Sequence, residues 1–245
     1  MKITVVCEHN EGMNSEQSLK AYPEKMENCI ANIFKNAGHE VTLIVLDKTS
    51  DGTAITDEIL ENTDVMCWWA HWHHNNVLDE VAFKVVSHVH RGMGFFAMHS
   101  GHHCKPFRYL MGTTGNLSWR EDSERERVWV IDPAHPIAKG LDKNFVIEHE
   151  EMYGEQFDVP APDELVFISW FAGGEVMRSG CVWKRGYGKV FFFRPGHETN
   201  PTYHQKEVQT VLLNAVEYIK GNRVEPYNAP HIKIAPEGAN FKDRY

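Results

Sequence analysis

A short apolar strand that ends in a glycine turn constrains the fold of this chain more than any other feature. Residues 94–98 form the apolar run that a buried parallel strand needs, and His99-Ser100-Gly101 follows at once. Beyond the turn, Phe107, Leu110 and Met111 recur at helical spacing. We therefore predict a strand, a tight elbow and a helix, which together lift the side chain of His99 to the carboxyl edge of a sheet.

The elbow lies within a repeated alternation of strand-like and helix-like segments. Before it, we predict strands at residues 3–7, 41–46 and 65–69 and helices at 23–37 and 77–89. After residue 120 the pattern predicts strands without long helices between them, followed by a helix over 208–219 that ends at Gly221. These later strands are expected at residues 128–131, 145–148, 165–170, 181–184 and 189–193. The pattern is typical of an α/β fold with a doubly wound, mostly parallel sheet and antiparallel additions.

Length and cysteine usage indicate one domain in a reducing compartment. The 245 residues can bury one large core, so we predict a single domain over residues 1–221 and an extended tail over 222–245. Five scattered cysteines without a CxxC spacing exclude a disulfide framework and a thiolate zinc site. The chain begins with a strand and has no apolar run of about 20 residues, so we expect a cytoplasmic protein without a membrane partner.

The charge of the chain argues against a nucleic-acid partner. Its formal net charge is −9, and the basic residues are scattered along the sequence. Phosphate backbones are bound by concentrated positive surfaces. We therefore expect a small-molecule substrate, and the extended tail and antiparallel additions favour a homo-oligomer.

Histidines and carboxylates follow several of the predicted strands at the point where each strand ends. Because parallel strands end at one edge of a doubly wound sheet, we expect these loops to converge on a single cleft. The residues concerned are His9, His71, His74, His99, His102, His197 and Glu198. Three imidazoles can hold zinc or a similar divalent metal in an open catalytic site, and we predict His71, His99 and His197 as its ligands. His102, His74, His9 and Glu198 are the nearest substitutes.

The same histidines are also suited to acid–base chemistry without a metal. An unperturbed imidazole titrates near neutral pH and can move protons unaided. The adjacent Glu150 and Glu151 end another strand, where only one of the two side chains can face the cleft. The sequence leaves open which of them does.

Eight segments of the chain resemble those of ThuA-type trehalose-utilisation proteins. The resemblance implies a flavodoxin-like fold similar to that of class I glutamine amidotransferases, in a protein linked to the uptake and breakdown of trehalose and related disaccharides. The matching segments are residues 68–71, 98–102, 110–114, 116–121, 150–155, 167–171, 173–176 and 194–199. An amidotransferase carries its nucleophilic cysteine at the position that His99 fills here, so amidotransferase activity is not expected. Cys104 is expected one turn or more into the following helix, away from the cleft.

The residues and the resemblance together predict a carbohydrate-processing enzyme. A ketone on a sugar ring acidifies the neighbouring C–H bonds, so a metal or imidazolium that polarises the carbonyl, with a nearby base, permits isomerisation or β-elimination. We predict His99, Glu151 and His197 as catalytic residues. Trp72, Tyr153 and Arg194 are predicted to bind the sugar. The alternatives are a metal-dependent hydrolase and a sugar- or metal-binding protein without catalytic activity.

Overall fold

The computed structural model describes residues 1–226 and 229–233, whose strands form one nine-stranded sheet. The strands are β1 (Lys2–Glu8), β2 (Glu40–Leu46), β3 (Val65–Trp69), β4 (Gly94–Met98), β5 (Ser118–Val130), β6 (Asn144–Gly154), β7 (Glu164–Phe171), β8 (Val176–Arg185) and β9 (Gly188–Phe193). Their order across the sheet is β2-β1-β3-β4-β9-β8-β7-β5-β6. The first five strands in this order are parallel, and the rest are joined antiparallel. The predicted fold class is confirmed.

Within the described residues, six α-helices flank the sheet or precede its loops. They are α1 (Glu16–Ala21), α2 (Met26–Asn36), α3 (Asp57–Glu61), α4 (Asp79–His90), α5 (Lys105–Met111) and α6 (Lys206–Ile219). The prediction that the first long helix begins at Pro23 is wrong, because Lys25 has a positive φ of 69° that interrupts helical geometry just before Met26. The sequence analysis missed α1 and α3, which are too short to show an apolar period and are capped by the side chains of Ser15 and Thr56.

Alternate side chains of the central strands pack into two separate cores, one on each face of the sheet. Phe191 and Phe193 of β9 lie in the core covered by α2 and α6. Phe192 points to the opposite face, where α4 and α5 cover it. Burial on both faces explains why β3, β4 and β9 have continuous apolar sequences instead of alternating ones.

The predicted elbow after β4 is present, with one more element than expected. His99–His103 form a 3-10 turn, and α5 begins only at Lys105. The expectation that Cys104 lies inside the helix is therefore wrong, since it is the N-cap residue of α5. Its side chain is nevertheless buried, and this burial raises the pKa of the thiol to about 12.

The described part of the predicted tail has no regular secondary structure. Residues 222–226 and 229–233 form neither a helix nor a strand, and Arg223 donates hydrogen bonds to the carbonyl groups of Leu60 and Thr63. The remainder of the predicted tail, residues 227–228 and 234–245, lies outside the described residues. None of the described helices combines the length and the apolar character that a membrane crossing requires.

Gly101 provides a test of the elbow. A Cβ atom at this position would lie 2.5 Å from the carbonyl oxygen of Trp68, a backbone atom that cannot move aside. We expect Gly101→Ala to lower the free energy of unfolding by about 1–3 kcal/mol, the usual cost of overpacking. Urea denaturation followed by circular dichroism measures this change.

Gly154→Ala is the matched control, because the nearest atom to a Cβ there would be 3.4 Å away, an ordinary contact. Equal stability of the two variants would contradict the close approach of the elbow to β3.

Candidate functional site

Four side chains converge at the carboxyl edge of the parallel strands. His71 follows β3, His99 follows β4 and His197 follows β9, while Glu151 lies in β6. The strands end in register, so that Trp69 lies beside Met98 and Met98 beside Phe193. One possible ligand atom from each of the four side chains lies within 4.8 Å of the other three. The predicted convergence of the loops is therefore present.

Glu151 reaches this edge although β6 is at the far end of the sheet. The long β5–β6 pair contains register shifts between Arg120 and Glu126, and such bulges bend and twist strands. The bend brings Oε2 of Glu151 to 3.2 Å from Nε2 of His99. Two carboxylates that are adjacent in sequence thus separate, because Glu151 faces the cleft and Glu150 points beneath it.

The ring of His99 is held in one orientation at the elbow. Its backbone has a φ of 49°, the left-handed region that aims the side chain across the strand ends. The ring stacks between Trp69 and Tyr153, at centroid distances of 6.2 and 5.0 Å and interplanar angles of 13°. Nδ1 donates a hydrogen bond to the carbonyl of Arg194 at 3.1 Å. Nε2 therefore presents its lone pair to the cleft.

His71 is oriented by a buried carboxylate. Its Nδ1 donates to Oε2 of Glu198 at 2.9 Å, and the amide of Asn10 donates to the same carboxylate at 3.4 Å. The loop that carries His71 is fixed by Glu8, whose carboxylate accepts backbone N–H groups from His71 and Trp72. A carboxylate behind an imidazole is the usual arrangement around histidines that bind metals.

Two buried polar atoms of the cluster have no hydrogen-bond partner among the described residues. They are Nε2 of His197 and Oε2 of Glu151. Nδ1 of His197 lies 2.8 Å from the hydroxyl of Thr199, which holds the ring so that Nε2 faces the other three groups. Glu151 lies close to His99, but at an angle that does not suit a hydrogen bond. Burying unsatisfied polar atoms costs free energy, and a shared cation at their meeting point would offset that cost.

The pKa values of the two carboxylates at this edge, Glu151 and Glu198, are lowered by their surroundings. Burial opposes ionisation of Glu198, but the hydrogen bond and charge of His71 outweigh it and lower the pKa of Glu198 to about 2. Burial likewise opposes ionisation of Glu151, yet its close contact with the imidazole of His99 and the charges of His197 and His71 outweigh burial and lower the pKa of Glu151. Both carboxylates are therefore ionised at neutral pH.

The pKa values of the two neighbouring imidazoles, His99 and His71, are shifted in opposite directions. Burial lowers the pKa of His99 despite its contact with Glu151. Burial also opposes protonation of His71, but its hydrogen bond to Glu198 outweighs this and raises the pKa of His71. In the absence of a cation, His71 is thus the imidazole of this pair that retains a proton more readily.

Arg194 lies beneath the cleft and does not reach its surface. The guanidinium group is completely buried, contacts Glu126, lies 3.2 Å from Glu150 and donates to the carbonyl oxygen of Glu151 at 2.6 Å. Because burial keeps it from any ligand in the cleft, the structure corrects its predicted role in sugar binding. Glu150 in turn accepts a hydrogen bond from the backbone N–H of Gly196. Arg194 therefore joins the strand of Glu151 to the loop of His197.

The other predicted residues divide between the cleft and its surroundings. A cavity of about 270 Å³ opens beside the cluster, and Trp72, Tyr153 and Trp119 line it. Trp72 and Trp119 are 52% and 65% exposed and form its rim. His9 does not join the cluster, because its ring contacts Glu27 and Asn14.

Two further histidines that were proposed as substitute ligands are also separate from the cluster. Nδ1 of His102 lies 2.8 Å from the carbonyl of Gly115, and His74 packs against His103. The sequence analysis assigned no role to Glu8, Asn10, Ser100 and Thr199. All four follow or end strands that were predicted, and that position is the one signal that pointed to them.

Known proteins resemble this chain along almost its full length. The family model ThuA, described as trehalose utilisation, matches residues 5–219. No curated protein matches the sequence significantly.

Three solved structures show the same fold. A ThuA-like protein from Parabacteroides merdae is 14% identical, with 93% of this chain and 92% of that chain covered and a TM-score of 0.69. A ThuA-like protein from Bacteroides uniformis is 15% identical, with coverage of 89% and 91% and a TM-score of 0.61. A glutamine amidotransferase from Thermotoga maritima is 11% identical, with coverage of 89% and 97% and a TM-score of 0.53.

Replacement of Arg194 tests the support beneath the cleft. Arg194→Met leaves Glu126 and Glu150 buried without their cation, and breaking a buried ion pair costs about 3–5 kcal/mol. We expect urea denaturation to show a loss of this size. Arg125→Met is the control, since Arg125 forms an exposed ion pair with Glu148 that contributes at most about 1 kcal/mol. Similar losses in both variants would contradict the role assigned to Arg194.

The acid dependence of stability tests the pairing of Glu198. Because folding lowers the pKa of Glu198 from 4.5 to about 2, its stabilisation is present above pH 4.5 and is lost as pH falls towards 2. The shift corresponds to about 3 kcal/mol. In chelator-treated protein, we expect unfolding free energy to fall less between pH 5 and pH 2 in Glu198→Gln than in the wild type. Glu40→Gln, at an exposed position, should behave like the wild type.

Proposed function

The chain belongs to the ThuA family of trehalose utilisation, and from this premise we propose that it is an enzyme that moves protons on a keto derivative of a disaccharide. The proposal includes a divalent cation, zinc by our assignment, held by His71, His99 and His197, with Glu151 beside it. The observation that carries it is the convergence of these four side chains, with two of their buried polar atoms unpartnered among the described residues.

The donor set suits zinc. Three imidazole nitrogens are ligands that zinc accepts, and they would leave a fourth coordination position for an oxygen of the substrate. The orientation of His71 by Glu198 and of His99 by the carbonyl of Arg194 leaves the remaining nitrogen of each ring free to bind. When bound, such a cation polarises a carbonyl oxygen as a Lewis acid.

The side chains around the cluster can carry out the proton transfers. Glu151 is ionised at neutral pH and can accept a proton from a carbon next to a ketone. Burial raises the pKa of Tyr153 well above its ordinary value, so its hydroxyl keeps its proton. That hydroxyl contacts Ser100 and lies 3.4 Å from Nε2 of His99, where it can donate to a developing oxyanion or leaving group. His102, which lines the cleft and is not one of the proposed ligands, is the second candidate for the base.

The rim of the cleft suits a sugar ring. Trp72 and Trp119 offer exposed flat apolar surfaces, and Glu121 supplies a polar group beside them. Aromatic faces combined with a few polar groups are typical of small-molecule sites.

We do not propose glutamine amidotransferase chemistry for this chain. His99 occupies the elbow position of the nucleophile, and the buried Cys104 has a pKa raised to about 12, which leaves little thiolate.

A cytoplasmic location and assembly into a homo-oligomer stay predictions.

Hydrogen–deuterium exchange into the substrate tests the proposed reaction. In D₂O, the wild type should introduce deuterium into 3-keto-trehalose, as read by NMR. We expect His99→Ala to lose exchange and to contain less metal than the wild type, because an imidazole donor is removed. Glu151→Gln should lose exchange by at least about a hundredfold. Its metal content should persist, because three imidazoles remain.

Metal content is measured on protein purified without a histidine tag. His90→Phe, at an exposed position of α4, is the control for both measurements. Exchange at the wild-type rate in Glu151→Gln would move the base to His102. If no protein, wild type or variant, shows exchange but the wild type hydrolyses the substrate, the proposal is replaced by a hydrolase that uses water as nucleophile. If the wild type binds the sugar and catalyses neither reaction, the chain is a non-catalytic sugar-binding protein.

A further inference from the structure

One face of the antiparallel half of the sheet carries a row of mostly apolar side chains. Residues paired in an antiparallel ladder point to the same face. Arg127 of β5 is paired with Val146 of β6 and with Trp170 of β7. Trp170 is in turn paired with Val176 of β8. These four side chains therefore form one row across four strands.

A second row lies beside the first, two residues away along each strand. Trp129 of β5 is paired with Asn144 of β6 and with Ile168 of β7. Ile168 is paired with Arg178 of β8. We refer to the eight residues of the two rows as the outer face.

The apolar side chains of the outer face are open to solvent among the described residues. Trp129 is 44% exposed, Trp170 43% and Val176 49%, while Val146 and Ile168 are half-buried. Adjoining exposed apolar side chains mark interaction surfaces. The outer face contains two tryptophans, two arginines and no lysine, a composition typical of the centres of protein interfaces.

The outer face has no part in the catalytic cleft. None of its residues lines the cavity beside the cluster. Residues 167–171 and 173–176 are two of the segments that resemble the family, and they contain Ile168, Trp170 and Val176. The chemistry proposed for the cleft does not use these side chains, so they need a separate explanation.

The charges of the outer face do not favour a strongly charged partner. Arg178 forms a bidentate ion pair with Glu155 at 2.8 and 3.0 Å. Arg127 donates to Asn144 at 2.5 Å, and its guanidinium group lies 6.0 Å from the centre of the Trp129 ring. One arginine without a carboxylate partner among the described residues is not the concentrated positive surface that a nucleic acid requires.

The outer face is instead complementary to itself. The strand order β8-β7-β5-β6 allows a two-fold axis, parallel to the strands and midway between β5 and β7, to exchange β5 with β7 and β6 with β8. The residues that face each other across this axis are Arg127 and Trp170, Trp129 and Ile168, and Val146 and Val176. A guanidinium group is attracted to the face of a tryptophan ring, and the other two pairs are apolar.

The same axis gives a known type of sheet packing. Rotation about an axis parallel to the strands keeps the strands of the two copies aligned. Aligned sheets pack about 10 Å apart, with an angle of about 30° that arises from their twist. The symmetry thus agrees with the geometry of a β-sandwich.

We propose that the outer face joins two copies of the chain into a two-fold symmetric dimer, in which the two sheets pack face to face. Trp129 and Val146 of each copy are covered by apolar side chains of the other, and Arg127 lies on Trp170 of the partner subunit. The inference goes beyond the reaction assigned to the cleft and does not depend on it.

Sedimentation equilibrium over a series of concentrations tests the dimer. We expect the wild type to form a particle of twice the chain mass of 28.2 kDa. Trp170→Glu should raise the dimer dissociation constant at least about thirtyfold, which corresponds to the loss of about 2 kcal/mol at an interface hot spot. Arg127→Glu should weaken the dimer in the same direction. Tyr187→Glu is the control, since Tyr187 is an exposed aromatic residue between β8 and β9, outside the outer face.

Chemical crosslinking tests the position of the two-fold axis. In a Cys29→Ser background, the four remaining cysteines are buried. Val146→Cys and Val176→Cys are made in separate proteins, because the axis places each position against the other and not against itself. A bismaleimide shorter than the sheet separation of about 10 Å should join the two proteins after they are mixed, and should not join either protein to itself.

Circular dichroism establishes that each variant is folded. A wild type that stays monomeric at every concentration would overturn the proposal, and so would a dimer that Trp170→Glu leaves intact. Crosslinking within either single-cysteine protein, or none in the mixture, would exclude the axis between β5 and β7.

Discussion

The buried contact of Arg194 with Glu126 and Glu150 is the interaction on which the site depends. It lies where the parallel and antiparallel halves of the sheet meet, and it connects β5, β6 and the loop after β9. Each side chain is completely buried, so the desolvation penalty of the charges is large and must be offset by close pairing and hydrogen bonds. These include contacts of Glu126 with Ser169 and of Glu150 with Gly196. The network has a structural role that depends on where it lies. It fixes the backbone of Glu151 next to that of His197.

Much of the fold was predictable because the parallel half follows simple patterns. Continuous apolar runs such as residues 94–98 mark strands buried on both faces, and the strand–turn–helix sequence around Gly101 predicted the elbow. Short helices such as α1 were missed, because their stability comes from capping and tertiary contact instead of periodicity. The start of α2 was misplaced because the positive φ of Lys25 has no sequence signature.

The candidate site was predictable in composition but only partly in geometry. The topology of parallel strands places His71, His99 and His197 at one edge, so their convergence followed from the order of elements. The position of Glu151 depends on the bend of the β5–β6 pair, and strand alternation alone left Glu150 equally eligible. Arg194 was misassigned because a sequence does not reveal whether a charged residue after a strand faces solvent or other buried charges.

The origin of Glu151 in β6 has a consequence for how the protein acquires its site. The three histidines follow strands of the parallel half, whereas Glu151 lies in β6 at the antiparallel end of the sheet. Its contact with His99 joins residues that are far apart in the sequence. Closing such loops carries an entropic cost, and distant pairings tend to form slowly. The complete set of four groups would therefore assemble only after the antiparallel half has docked. A ligand that needs all four would select the fully folded chain over partly folded forms and shift the folding equilibrium towards it.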